Sequence, residues 1–372
     1  MRERSGTEAE AEMTPDAAPL ARHIARLIEE TGPIPLSHYM ALALGHPEHG
    51  YYMTRDPLGA RGDFITAPEI SQMFGELIGL WLAEAWTAQG APAPFMLAEL
   101  GPGRGTLMAD ALRAMRAVPG MTDAAEIHFV ETSPVLREAQ RERVPRATWH
   151  ERIDTLPAGP FFLIANEFFD ALPVVQYQRT ERGWCERYVG LAEDRLVPVL
   201  APVPLADDTS LPPAIRAAPT GAIAEISPAS PAIAQAIATR IAAQGGAALI
   251  VDYGHARSAP GETLQALRGH QYADPFDTPG EADLTAHVDF EALVRAVRAG
   301  GAAAHGPVEQ GRFLTALGIE ARAAALRLRA TATQARDIDA GLRRLTAPGE
   351  MGSLFKVLGI VPRGTPAPAG FV

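Results

Sequence analysis

A single cysteine, Cys185, stands in the 372 residues, so no internal disulfide framework and no cysteine-based zinc site can form. That fits a reducing compartment. Basic residues are in deficit as well: Lys plus Arg total 33 against 44 Asp plus Glu, a formal net charge of −11. A chain of this sign has no field to hold a phosphate backbone, which argues against nucleic-acid partners, whereas a cationic peptide would suit it. Long apolar runs are also missing. Phe161 to Ala165 is among the longest and is far short of a bilayer span, so no membrane insertion is expected. The first residues, MRERSGTEAEAEM, lack the apolar centre of a secretory signal and are too acidic for a transit peptide; residues 1–14 are expected to be disordered. The ten histidines show no metal-ligand spacing, His270 and His287 included, and no H-E-x-x-H occurs, so no metal is expected. The absence of G-x-S-x-G removes the serine hydrolases of that type.

What is present is a globular composition, 47% hydrophobic and 21% charged. Helical spacing covers Leu20 to Glu30, Leu36 to Leu44 and Ser71 to Gln89. The turn-rich stretch before the last of these carries Tyr51, Tyr52 and Phe64, which favour a binding loop. From residue 95 the pattern alternates. Strands are expected at 95–100, 127–130, weakly near 147–149, at 161–165 and at 247–254, with a closing strand at 355–361. Helices are expected at 106–117, from Pro134, at 232–243 and at 288–299. This order predicts an α/β fold with a doubly wound, mostly parallel sheet. Three β-like segments between 174 and about 206 suggest a small antiparallel insertion, followed by a loop over 207–222. The expected organisation is therefore an N-terminal helical cap over 15–90, a core over 91–362 with an insertion at about 174–222, and a tail over 363–372.

Strand 95–100 runs straight into Gly101-Pro-Gly103-Arg-Gly105, and a helix follows. Glycines there let the backbone approach a ligand at a helix N-terminus. The last glycine of a dinucleotide fingerprint would fall on Thr106, so that fingerprint is not met. Glu99 stands two residues before the first glycine, where a carboxylate would repel a pyrophosphate but can accept from the ammonium of an amino-acid moiety. Glu131 ends the next strand, where a carboxylate can accept from both ribose hydroxyls; its alternative is helix capping beside Ser133. S-adenosylmethionine (SAM) carries ribose, adenine and a charged methionine but no phosphate, and suits these residues. Asp154 is a candidate adenine contact or a surface turn.

The strand at 161–165 is followed by Asn166-Glu167-Phe168-Phe169-Asp170. Ligands of open α/β sheets bind at the carboxyl ends of strands, which places Asn166, Glu167 and Asp170 beside the reactive methyl group. Two carboxylates have a use there if the acceptor is arginine, because a guanidinium stays protonated and must be oriented and polarised before a nitrogen can attack. The alternative is that Glu167 and Asp170 complement a helix dipole. Asp252 and Glu225 could serve the acceptor or be structural.

GYY at 50–52, GDFITAPEISQMFGE at 62–76, ELGPGRGTLM at 99–108, VETSPVLREAQ at 130–140, ANEFFDALPV at 165–174, VDYG at 251–254, PGEADLTAHVDF at 279–290 and MGSLFKVL at 351–358 together resemble the MidA-type methyltransferases. The resemblance runs from about residue 33 to the C-terminal strand. It implies a seven-stranded class I methyltransferase core of Rossmann-like type, SAM as donor with S-adenosyl-L-homocysteine as product, and symmetric dimethylation of an arginine in a respiratory complex I subunit. It would assign Gly101, Gly103, Gly105 and Glu131 to SAM, Gly62, Asp63, Phe64 and Thr66 to the wall of the site, and Asn166 and Glu167 to the acceptor. Without a transit peptide, a bacterial cytoplasmic member is expected. Two other readings are a SAM-binding assembly factor that holds a partner without essential catalysis, and a small-molecule methyltransferase on the same fold.

Overall fold

A computed structural model describes residues 18–55 and 65–371. Its centre is a sheet built from β1 (Phe95–Leu100), β2 (Ala125–Val130), β3 (Thr148–His150), β4 (Phe161–Asn166), β5 (Gly246–His255), β6 (Ala303–Glu309) and β7 (Phe355–Val361). Their spatial order is 3-2-1-4-5-7-6. The first five of that order are parallel, and β7 lies antiparallel between β5 and β6. Every residue of FMLAEL in β1 and FFLIAN in β4 is buried, as expected of parallel strands covered on both faces.

The helices Gln72–Ala88 and Thr106–Met115 cover one face, with Ile78, Trp81, Leu107 and Ala111 in the core. They approach closely at Gly79, where a Cβ would meet the Ala111 carbonyl oxygen at 2.6 Å. Helices Ala229–Gln244 and Phe290–Ala299 cover the other face. From β1 the chain winds outward through β2 to β3, and from β4 it winds the opposite way to β5. The loops leaving β1 and β4 therefore diverge and open a crevice at the carboxyl ends of the strands.

Helices Pro19–Thr31 and Leu36–Gly45 pack away from the central sheet. Their buried faces meet Val174, Val189, Ala266 and Leu284. The segment thus shares a core with the insertion, a five-stranded antiparallel sheet formed by Ile34–Pro35, Val175–Thr180, Gly183–Ala192, Arg195–Leu200 and Ile223–Ile226. The stretch expected as loop at 207–222 contains a turn of helix at Pro213–Arg216.

The helix expected from Val288 begins at Phe290. Val288 and Asp289 instead pair with Gly254 and His255 of β5, and the Asp289 side chain caps the helix by accepting from the Ala292 amide at 3.0 Å. Three features had no counterpart in the sequence reading: β6, the helices Gln310–Ala316, Ile319–Arg327 and Ala332–Thr346, and a three-stranded sheet of Gln265–Arg268, Gln271–Ala273 and Asp283–Thr285. Among the described residues no helix is long and apolar enough to cross a membrane.

Candidate active site

The loop leaving β1 turns with Gly101 at φ +59°, Gly103 at +53° and Gly105 at +78°, a left-handed run that side-chain-bearing residues resist. The Gly101 amide donates to the Val130 carbonyl at 3.0 Å and fixes the loop to the end of β2. A Cβ at Gly101 would meet Phe168 Cδ2 at 3.1 Å, so the glycine leaves space between the two crossing loops. Gly101 and Gly103 line a cleft of about 290 Å³ together with Glu99, Glu131, Thr66, Asn166 and Glu167.

Glu99 is 2% exposed and its Oε2 has no hydrogen-bond partner among the described residues. Burial pushes its carboxyl up to about 8. A buried carboxyl of this kind is suited to a cationic ligand group, whose arrival favours the ionised form. Glu131 is tied instead. Its Oε1 accepts from the Ser133 amide at 2.8 Å and its Oε2 from Gln140 Nε2 at 3.1 Å. The same Gln140 nitrogen donates to the Gly103 carbonyl at 2.7 Å, and Gln140 Oε1 accepts from Trp149 at 2.7 Å. The acid at the end of β2 is thereby locked to the glycine loop, and capping and cleft-lining coexist in one side chain. Gln140 was missed at the sequence level, where helix 134–143 offers only its pattern.

Asp154 lies in a short 3₁₀ turn, its side chain 58% exposed and paired with Arg152 at 2.6 Å. It is a surface-turn residue, yet it borders a second hollow shared with Gly101, Glu131, Ile153 and Phe168.

After β4 the chain turns sharply at Glu167, whose φ is +50°. A non-glycine residue held there costs about 1–3 kcal/mol and persists only where its surroundings over-determine it. The determinants are visible. The Glu167 amide donates to the Val251 carbonyl at 2.9 Å, and Glu167 Oε1 accepts from the Ala67 amide at 3.2 Å and from Asn166 Nδ2 at 3.1 Å. Asp252, fully buried in β5, accepts from the Phe169 amide at 2.9 Å and the Asp170 amide at 3.3 Å. Asp252 is therefore the brace of the turn, a positioning group rather than an acceptor ligand. Glu225 is structural too: it accepts from the Thr263 and Leu264 amides and from Gln176, joining the insertion to the strand that begins at Gln265.

Burial and the neighbouring Asp170 raise the Glu167 carboxyl to about 7, and burial raises Asp170 to about 6. Asp252 is pushed well up by burial and by both neighbours. Carboxylates crowded in this way disfavour their own ionisation until a cation joins them.

Described residues of the N-terminal segment form part of the cleft wall. Thr66 lines it as the residue before the short helix Ala67–Ile70. Glu69 of that helix accepts from Thr106 Oγ1 at 2.5 Å and lies 3.7 Å from Arg104, so the segment is fastened to the glycine loop. Sequence reading missed Glu69. Gly62, Asp63 and Phe64, expected in the wall, lie outside the described residues.

An unpartnered buried acid, a left-handed glycine turn and a tied acid at the end of the next strand fit SAM, which carries a cation and a ribose but no phosphate. Fold and site together define a class I, Rossmann-like SAM-dependent methyltransferase. Residues 77–308 match the model of an S-adenosyl-L-methionine-dependent methyltransferase family, and the chain belongs to it.

Protein arginine methyltransferase NDUFAF7 of Mus musculus is 40% identical over 92% of this chain and 84% of its own. The Homo sapiens protein of that name is 37% identical over 92% and 83%. A solved Burkholderia thailandensis structure bound to S-adenosyl-homocysteine superposes with a TM-score of 0.82 at 30% identity, covering 96% of this chain and 97% of that one. The expectation of a bacterial cytoplasmic location is corrected by these relatives, since the Mus musculus, Drosophila melanogaster and Homo sapiens proteins are all mitochondrial. An acidic N-terminus was too weak a signal to settle the compartment.

Proposed function

We propose that the chain methylates arginine side chains of a protein, and that the acceptor is a subunit of respiratory complex I, dimethylated symmetrically as the family resemblance implies. The observation that carries the reading is Glu167: a buried carboxyl in a left-handed turn, braced by Asp252 and aimed by Asn166 and the Ala67 amide. The names of the relatives support the arginine acceptor. In this reading Gly101, Gly103 and Gly105 carry the donor on their backbone. Glu99 would accept from its ammonium, Glu131 would accept from its ribose hydroxyls, and Ile153, Asp154 and Phe168 would border its adenine. Thr66 lines the wall from the N-terminal segment.

SAM held there would supply an electrophilic methyl group for transfer to the acceptor nitrogen, with the sulfur as leaving atom keeping the bonding pair. The chain's residues do the rest by position and charge. Glu167 accepts from the guanidinium, orients the attacking nitrogen and takes the proton that this nitrogen sheds. Asn166 and the Ala67 amide keep one Glu167 oxygen engaged, so the carboxylate is preorganised before the acceptor arrives. A carboxyl held near neutrality can move between holding a cation and receiving a proton at physiological pH.

The test is to incubate the enzyme and trideuteromethyl-SAM with proteins from cells lacking it, then map deuterated residues by mass spectrometry. Label on an arginine of a complex I subunit is expected. Label confined to lysine, to a protein terminus or to small molecules would overturn the reading.

A further inference from the structure

A second cavity of about 220 Å³ is lined by Glu167 but by no residue of the glycine loop. The two cavities share Tyr52 and Glu167. One wall of the second is a single face of the three-stranded sheet. In its register Leu267 stands opposite both Tyr272 and Asp283, and Gln265 opposite Thr285. Side chains alternate across a strand, so these residues share a face. Ala266 and Leu284, on the other face, are buried in the core of the N-terminal helices.

The cavity is graded from end to end. Its outer rim carries Tyr272, 79% exposed, and Leu354, 45% exposed, and its inner end is acidic. Asp283 is 4% exposed and accepts from the Tyr52 hydroxyl at 2.8 Å. Asp170 is 6% exposed, lines the cavity, and its Oδ1 accepts no hydrogen bond among the described residues. The Tyr253 hydroxyl acts on both Asp170 and Thr285. An aromatic rim, an apolar middle at Leu267 and Phe355, and an acidic floor match a long apolar stem ending in a cation.

Resting on the methyltransferase reading above, we propose that this cavity is the acceptor channel: a protein arginine enters past Tyr272, its stem lies along Leu267, and Asp283 and Asp170 hold its guanidinium against Glu167. The donor and acceptor then approach from opposite sides of one residue. Tyr52 would position Asp283, and the guanidinium would satisfy the open lone pair of Asp170.

The test uses the full chain, trideuteromethyl-SAM, and increasing amounts of protein from cells lacking the enzyme, with hydrolysis to amino acids as the readout. The variants are Tyr272→Ala, Tyr272→Phe and Asp283→Asn, and SAM affinity is measured separately by calorimetry. Tyr272→Ala alters an exposed side chain and keeps the test open if Asp283→Asn fails to fold. The proposal expects methylarginine formation at low acceptor to fall roughly tenfold or more with Tyr272→Ala and Asp283→Asn, with SAM affinity retained and recovery with Tyr272→Phe. Undiminished methylarginine from Tyr272→Ala and every folded Asp283→Asn sample would overturn the channel while leaving the arginine reading standing. Wild-type label in a different amino acid, or in none, would overturn the arginine reading and the channel with it.

Discussion

The Ala67 amide donates to Glu167 Oε1 at 3.2 Å across 100 positions of chain. This contact joins the N-terminal cap to the turn after β4, so the segment that lines the cleft also engages the Glu167 carboxyl. Because Glu69, two residues on, is fastened to Thr106 and Arg104 of the glycine loop, the short helix Ala67–Ile70 bridges both halves of the site. One small element from outside the central sheet thus touches both the turn after β4 and the start of the helix that follows β1.

Glu99 should release a proton when SAM binds. Its carboxyl is raised to about 8 by burial, so at pH 7 it is mostly protonated, and pairing with an ammonium returns it to the ionised form. Calorimetry in buffers of different ionisation enthalpy should show close to one proton released per SAM at pH 7. Glu99→Gln should bind more weakly and lose the buffer dependence. A wild-type signal independent of buffer would contradict this role for Glu99.

The same carboxyls set a pH dependence of stability in the ligand-free protein. Glu99 is at about 8 and Glu167 at about 7, both above the 4.5 of an ordinary glutamate carboxyl. The folded form binds more protons than the unfolded form between those limits, so stability falls as pH rises from about 4.5 towards 8. Glu99→Gln should flatten that fall in urea titrations at pH 5 and pH 8. A variant whose stability falls as steeply as wild type over that range would show that Glu99 is not its source.

Gly103→Val should abolish SAM binding while leaving the fold. The position holds φ +53° in the loop, where a β-branched residue is strained and its side chain would intrude on the cleft. Wild-type SAM affinity in a folded variant, measured by titration calorimetry, would mean that the loop does not carry the donor.

Glu76 should matter for stability rather than chemistry. Buried in helix Gln72–Ala88, it accepts from Arg322 Nε at 2.7 Å, Arg113 Nη2 at 3.1 Å and Gln72 Nε2 at 3.1 Å. Arg322 belongs to helix Ile319–Arg327, so this carboxylate pins a late helix to the core. Glu76→Ala should cost about 1.5–3 kcal/mol in urea unfolding, the range for hydrogen bonds to charged groups. A change under about 0.5 kcal/mol, the ordinary surface-substitution range, would place the attachment elsewhere.

The parts legible in the sequence are those whose chemistry is local. Strand, glycine loop and helix follow one another over 95–115, Glu131 closes the strand before Ser133, and Asn166 to Asp170 follow the strongest apolar run. Other features depend on contacts between distant residues. Tyr52 meets Asp283 across 231 positions, and neither stands in a motif that implies the other. β6 reads AAHGPVE, interrupted by Gly306-Pro307 and only partly buried, so it has no strand pattern to detect. Asp252, open to a catalytic or a structural reading, was settled as a brace by the Phe169 and Asp170 amides it accepts.

The most direct test of the central claim pairs SAM titration with single-turnover methyl transfer, comparing wild type and Glu167→Gln. The account predicts that both proteins bind SAM, that wild type forms methylarginine on its protein acceptor, and that Glu167→Gln loses about 10²–10⁴ in rate, the range for a positioned proton acceptor. A Glu167→Gln protein that turns over at the wild-type rate would contradict the account, as would a wild type that labels no arginine.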